Sequence, residues 1–176
     1  MKNLLVITAL GEDRPGMVND LSRVIAGAGC NSEDSRMSVL GGEFALILLV
    51  SGKWNELAKL EAGLPIAARK LDLLLNAKRT EATRRRGHML PYAVEAVALD
   101  QPGIVHQLAN FFSHREINIR DMNTASYAAA HTGTPMFSVH MTVDVPAGTH
   151  IAALREEFMD FCDQLNLDAI IEPVKV

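Results

Sequence analysis

Long apolar runs are missing from this chain. The longest, near residues 4–10 and 44–50, are strand-length, far short of the ~20 residues a membrane helix needs. The N-terminus has one Lys and then a strand-length run without a cleavage region, so no signal peptide is expected. Cysteine is scarce: Cys30 and Cys162 lie one in each half, at unmatched positions and without a CxxC spacing. That excludes a disulfide framework or redox motif and points to a reducing compartment, hence a cytoplasmic protein. A basic excess is also missing. The net charge is −4, with 13 Lys/Arg against 10 Asp/Glu in residues 1–87 and 4 against 11 in residues 88–176. Such a distribution lacks the broad basic face of a nucleic-acid binder.

Catalytic signatures are absent too. The six His (88, 106, 114, 131, 140, 150) show no HExxH or other i, i+4 metal spacing beside a carboxylate. There is no G-x-S-x-G elbow, no P-loop and no three-glycine dinucleotide fingerprint. Asp13 and Asp34 sit on different elements that folding can bring together, but two carboxylates without a nucleophile or metal do not make an active site. No enzyme, cofactor or helix-turn-helix is expected.

What the chain does have is a repeat. Asp13-Arg14-Pro15-Gly16-Met17-Val18 recurs as Asp100-Gln101-Pro102-Gly103-Ile104-Val105, 87 positions later. Ala9/Ala96, Leu21/Leu108, Asn31/Asn118 and Asp34/Asp121 keep that offset without a gap. A period this close to half the chain is a duplicated unit. In each copy a strand runs into an Asp, a Pro that presets φ for a first helical position, and a Gly that exposes backbone. Amides at such a helix start are unpaired and carry partial positive charge, so the turn suits a carboxylate. The plainer reading is turn chemistry alone, with the Asp side chain capping local amides.

Periodicity fills in both units. Residues 3–10 are almost continuously apolar and read as a strand buried on both faces. Val18, Leu21, Ile25 and Ala28 form a helical stripe stopped by Gly27 and Gly29. Strands follow from Asn31 to Leu40 and from Glu43 to Val50, around a Gly41-Gly42 hairpin. Trp54, Leu57, Leu60 and Leu64 mark a helix ended by Pro65, and a strand runs from Lys70 to Ala77. The second half repeats the order: strand 92–99, helix around Val105–Phe112, strands 117–129 and 136–145, a helix on Ile151, Leu154, Phe158, Phe161 and Leu165, and strand 168–174. Two βαββαβ units predict an α+β protein of two ferredoxin-like domains, residues 1–78 and 90–176. The stretch 79–89, with Arg84-Arg85-Arg86, reads as a linker. Its Arg triplet is either solvated or a contact for nucleic acid or an acidic partner. Strands 3–10 and 43–50 are apolar on both sides. The first sheet's free face therefore calls for cover by the neighbouring domain or by another subunit, a homo-oligomer in the second case.

These features resemble a known family. Two βαββαβ units, each with an Asp-x-Pro-Gly turn after the first strand and an Asn opening the second (Asn31, Asn118), are similar to tandem ACT domains, which bind amino acids at domain interfaces. Leu5 to Gly11, Asp13 to Gly16, Gly29-Cys30-Asn31 and Glu33 to Arg36, with Phe44 and Trp54, resemble the glycine cleavage system transcriptional repressors. The resemblance spans nearly the whole chain and is strongest over residues 4–80. It implies a small amino acid, glycine foremost, held at Asp13, Arg14, Pro15, Gly16 and Met17 with Asn31 offering an amide and Asp34 nearby. Asp100, Gln101, Gly103, Ile104 and Asn118 form the second, unequal copy. It further implies a repressor without direct DNA binding that contacts a LysR-type activator, released by glycine. Two other classes stay open: the regulatory part of a deformylase- or phosphatase-like enzyme, and a pure oligomerisation module.

Overall fold

The structure is a computed structural model that describes residues 3–82 and 88–174. The chain divides into two compact units, Met1–Arg84 and Arg85–Val176.

The first unit runs β1 (Asn3–Glu12), α1 (Met17–Gly27), β2 (Asn31–Leu40), β3 (Glu43–Gly52), α2 (Trp54–Leu71) and β4 (Leu74–Thr80). Its four strands are antiparallel in the order β2-β3-β1-β4. The second unit repeats this as β5 (Met89–Leu99), α3 (Ile104–Ser113), β6 (Asn118–Ala128), β7 (Pro135–Pro146), α4 (Ile151–Gln164) and β8 (Asp168–Pro173), in the order β6-β7-β5-β8. The fold is α+β, with the βαββαβ order the periodicity predicts in both halves.

Three expectations need correction. Helix α2 does not end at Pro65 but carries it inside and continues to Leu71. The buried stripe Leu57, Leu60, Leu64, Ala67 and Leu71 runs straight through the proline. Burial of that face outweighs one lost backbone bond. The helix stops instead at Asp72, in the left-handed region at φ 54. The following strand is therefore displaced from the expected 70–77 to 74–80, and Arg79 and Thr80, read as linker, pair with Leu5 and Leu4. The Arg84–Arg86 triplet lies outside the described residues. Finally, β1 is buried on both faces only in its first half. Leu5, Ile7 and Ala9 are covered by the helices; on the other face Leu4 is buried and Val6 half-buried, whereas Thr8 and Leu10 are exposed, as is the neighbouring Ile47.

The cores differ. In the second unit one cluster joins both helices to the sheet, with Phe111 packed against Phe112, Phe158 and Phe161 at centroid distances of 4.9–5.3 Å. The first unit has two clusters. Leu5, Ile7, Ile25, Leu48, Val50, Leu57 and Leu60 form one. Ala9, Met17, Leu21, Phe44, Leu71 and Leu73 form the other, beneath the turn into α1. The outer face of the second sheet is polar: Glu95 faces His140 at 3.8 Å, and Arg120 pairs with Asp144.

Candidate functional site

The turn between β1 and α1 is fixed from both sides. The Asp13 amide donates to the Gly42 carbonyl at 3.0 Å, tying the turn to the β2–β3 hairpin. Gly16 is the N-cap at φ 94, a region that disfavours a side chain. The helix thus begins at Met17, two positions after Pro15. Pro15 does not occupy the first helical position that the sequence suggests; it rigidifies the approach to the cap. The second copy is nearly superimposable in its angles: Gly103 caps α3 at φ 94, and the Asp100 amide donates to the Pro135 carbonyl at 3.0 Å.

Among the described residues no side chain caps α1 or α3. This sets aside the plainer reading in which Asp13 or Asp100 caps its own turn. The Gly16 carbonyl accepts from the Asp20 amide at 2.9 Å, as a first helical bond should. The first-turn amides of Met17, Val18 and Asn19 therefore face outward without a side-chain acceptor. Asp20 places a carboxylate one turn in, but Arg14 at 3.4 Å and Arg23 at 3.9 Å offset its charge.

An open cleft of about 530 Å³ lies against this helix start. Asp13, Arg14 and Asn19 line it with polar side chains and Gly16 with backbone, while Met17, Val18, Met37 and Phe44 give it an apolar floor and wall. Met17 and Phe44 are also core residues, so the floor of the cleft is continuous with the cluster beneath the turn. Sequence reasoning misses Met37 and the lining role of Phe44. The hairpin signal at Gly41-Gly42 already held them, since pairing Gly11 with Phe44 brings that end of β3 beside the turn.

Asn31 and Asp34 are not part of this cleft. Asn31 pairs with Ser51, nine residues from the Gly42 that holds Asp13. That separation is roughly 30 Å of extended chain, so Asn31 sits at the opposite end of the sheet. It lines a different cleft with Asn3, Gly29, Ser51, Lys53, Trp54 and Glu56. The expectation that Asn31 offers an amide to a ligand at Gly16 fails within one unit, because α1 spans the sheet and returns the chain at the far end. Asp34 lies on β2 opposite Leu49, not next to Asp13. Arg36 hydrogen-bonds its carboxylate at 2.5 Å and holds it below the usual carboxylate range. In the second unit, Asp100, Gln101, Gly103 and Ile104 share one turn, with Ile104 buried. Asn118 pairs with Asp144 at the far end of β7 and lines a cleft with Ser113, Glu116 and Ile119.

Among the described residues no group of three His, Cys, Asp or Glu is disposed to hold a metal ion. Nor is any described helix long and apolar enough to cross a membrane.

The ACT domain family matches residues 3–78. The glycine cleavage system transcriptional repressor of Escherichia coli (strain K12) is 35% identical over 173 residues, 98% of this chain and 91% of that protein, and the repressor of Shigella flexneri matches equally. A crystal structure provisionally assigned as a glycine cleavage system transcriptional repressor aligns over 100% of this chain and 99% of its own, with TM-score 0.77 and 30% identity. A protein of unknown function from Galdieria sulphuraria shares the fold over 99% of this chain and 100% of its own, at TM-score 0.80 and 24% identity. With its two Asp-x-Pro-Gly turns on two ACT folds, the chain belongs to the ACT-domain family of glycine cleavage system transcriptional repressors.

Proposed function

We propose that the protein is a cytoplasmic, amino-acid-sensing repressor without catalytic activity. It responds to glycine and controls glycine cleavage genes through a LysR-type activator, without reading DNA itself. Membership of the repressor family supports the regulatory role. The observation that carries the sensing role is the uncapped start of α1 at Gly16, open to a cleft beside Arg14. Backbone amides at a helix start favour a carboxylate through hydrogen bonds and the helix dipole together. Glycine's carboxylate would take the amides of Met17 and Val18, with the Arg14 guanidinium adding positive charge at the rim. Asn31 has no part in that first-unit site.

Titration calorimetry of the full chain with glycine, alanine, serine and leucine tests this. Saturable heat with one or more of these amino acids is expected. It should weaken in Gly16→Ala, whose methyl enters space with no protein atom within 4 Å. A chain that binds none of them, or binds equally after that change, rules out the turn as the sensor. The alternative is an oligomerisation module without a ligand. It draws on the fully exposed edge strand β2, whose unpaired backbone invites another strand. A protein that assembles but gives no heat with any of the four amino acids is that module.

A further inference from the structure

The outward faces of α2 and α4 carry opposite charge. On α2, Lys59, Arg69 and Lys70 are exposed on the side opposite the buried stripe, with Ile66 between them at 63% exposure. The acids of this helix are engaged elsewhere: Glu61 with Arg79 at 2.6 Å, and Glu56 with Lys53 at 3.8 Å and the helix start. Lys59 donates to the Gly27 carbonyl at 2.8 Å, at the end of α1, and has no carboxylate partner among the described residues. Arg69 and Lys70 have no ion-pair partner among the described residues. On α4 the outward positions are Glu156, Asp160 and Asp163, again without ion-pair partners among the described residues, with half-buried Met159 beside them. Arg155 lies on the flank of that face.

We propose that the outward face of α2 in one copy docks on the outward face of α4 in a second copy of this chain. This inference is independent of the ligand reading. Three residues of one sign, within 3.6-residue periodicity, meet three of the other. The basic set spans ~16 Å and the acidic set ~10 Å along their axes. Long Lys and Arg stems close the remaining ~3 Å at each end and cover the Ile66–Met159 contact. An antiparallel crossing also opposes the two helix dipoles. Each copy supplies both faces, so each can give the contact and receive it. Charge complementarity of this kind sets which surfaces meet and makes association depend on salt.

Sedimentation equilibrium of the full chain tests the proposal. The wild type should form dimers whose dissociation constant rises with ionic strength. Reversing α2 (Lys59→Glu, Arg69→Glu, Lys70→Glu) or α4 (Glu156→Lys, Asp160→Lys, Asp163→Lys) should weaken self-association by roughly tenfold or more. An equimolar mixture of the two triple variants should dimerise again, since acidic α2 of one then meets basic α4 of the other while the native pair is kept. All six positions are exposed, so circular dichroism of each variant should match the wild type. A wild type that stays monomeric overturns the proposal. So do reversed variants that dimerise as well as the wild type, or a mixture that fails to associate.

Discussion

Four glycines separate the physical reasons a chain keeps this residue. At Gly16 and Gly103 the backbone is left-handed, at φ 94 in both, and an added methyl meets no atom closer than 3.8 Å. Alanine there should cost about 1–2 kcal/mol of conformational strain and nothing in packing. Valine would cost more, because branching stiffens the backbone further, so it is a poor probe of ligand binding. Gly11 has ordinary φ, but its methyl would lie 2.8 Å from the Asp72 carbonyl oxygen and 2.7 Å from Leu73. Its alanine variant should lose about 1–3 kcal/mol through overpacking. Gly63, inside α2 with open space around it, should gain about 0.5–1 kcal/mol as alanine. Urea unfolding of the four variants checks the set, and a destabilised Gly63→Ala would contradict the open surroundings. Cys162 makes a separate prediction. Burial pushes its thiol up to about 12, from an ordinary 9.0. Above pH 9 the unfolded chain releases this proton and the folded chain keeps it, so stability falls as pH rises. Melting temperature should decline from about pH 9 upward in the wild type, and less steeply in Cys162→Ala.

At the scale of elements, Pro65 is the instructive case. The proline removes the amide that would bond the Glu61 carbonyl, yet α2 continues for six more residues. Pro65→Ala should therefore raise stability by roughly 1–3 kcal/mol, while Leu60→Ala should lower it by about 2–5 kcal/mol. Equal melting of Pro65→Ala and wild type would mean the helix has already relaxed around the ring. The same helix shows what was legible in the sequence. The order of strands and helices was readable because period-two and 3.6-residue patterns alternate cleanly in both halves. The end of α2 was not, because a proline is a local signal and the stripe Leu57 to Leu71 is a cooperative one. The site was legible at its turn, since Asp13-Arg14-Pro15-Gly16 carries its own backbone chemistry. Its other lining depended on register: Met37 reaches the cleft and Asn31 does not because β2 and β3 pair around Gly41-Gly42.

At the scale of the whole molecule, charge and coupling decide what a repressor of this kind can do. Residues 88–176 carry 4 Lys/Arg against 11 Asp/Glu. Phosphate contacts need a basic surface and base reading needs an element that enters a groove. The purified protein alone should give no sequence-specific, salt-sensitive shift of operator DNA at physiological ionic strength. If none is seen, the proposed control passes through a protein partner, where a ligand acts only by binding two states of the protein unequally. With glycine as ligand and a LysR-type activator as partner, the coupling must be reciprocal. Saturating glycine should weaken activator binding by the same factor as saturating activator weakens glycine binding. A coupling of roughly 1–3 kcal/mol makes that factor about five to a hundredfold. Affinity of the protein for the activator with and without glycine, and for glycine with and without activator, gives four constants that must close a cycle. If glycine binds the activator complex at full strength and leaves it intact, the two sites are uncoupled. The protein then does not transmit a glycine signal to that partner, even if the turn at Gly16 binds the amino acid.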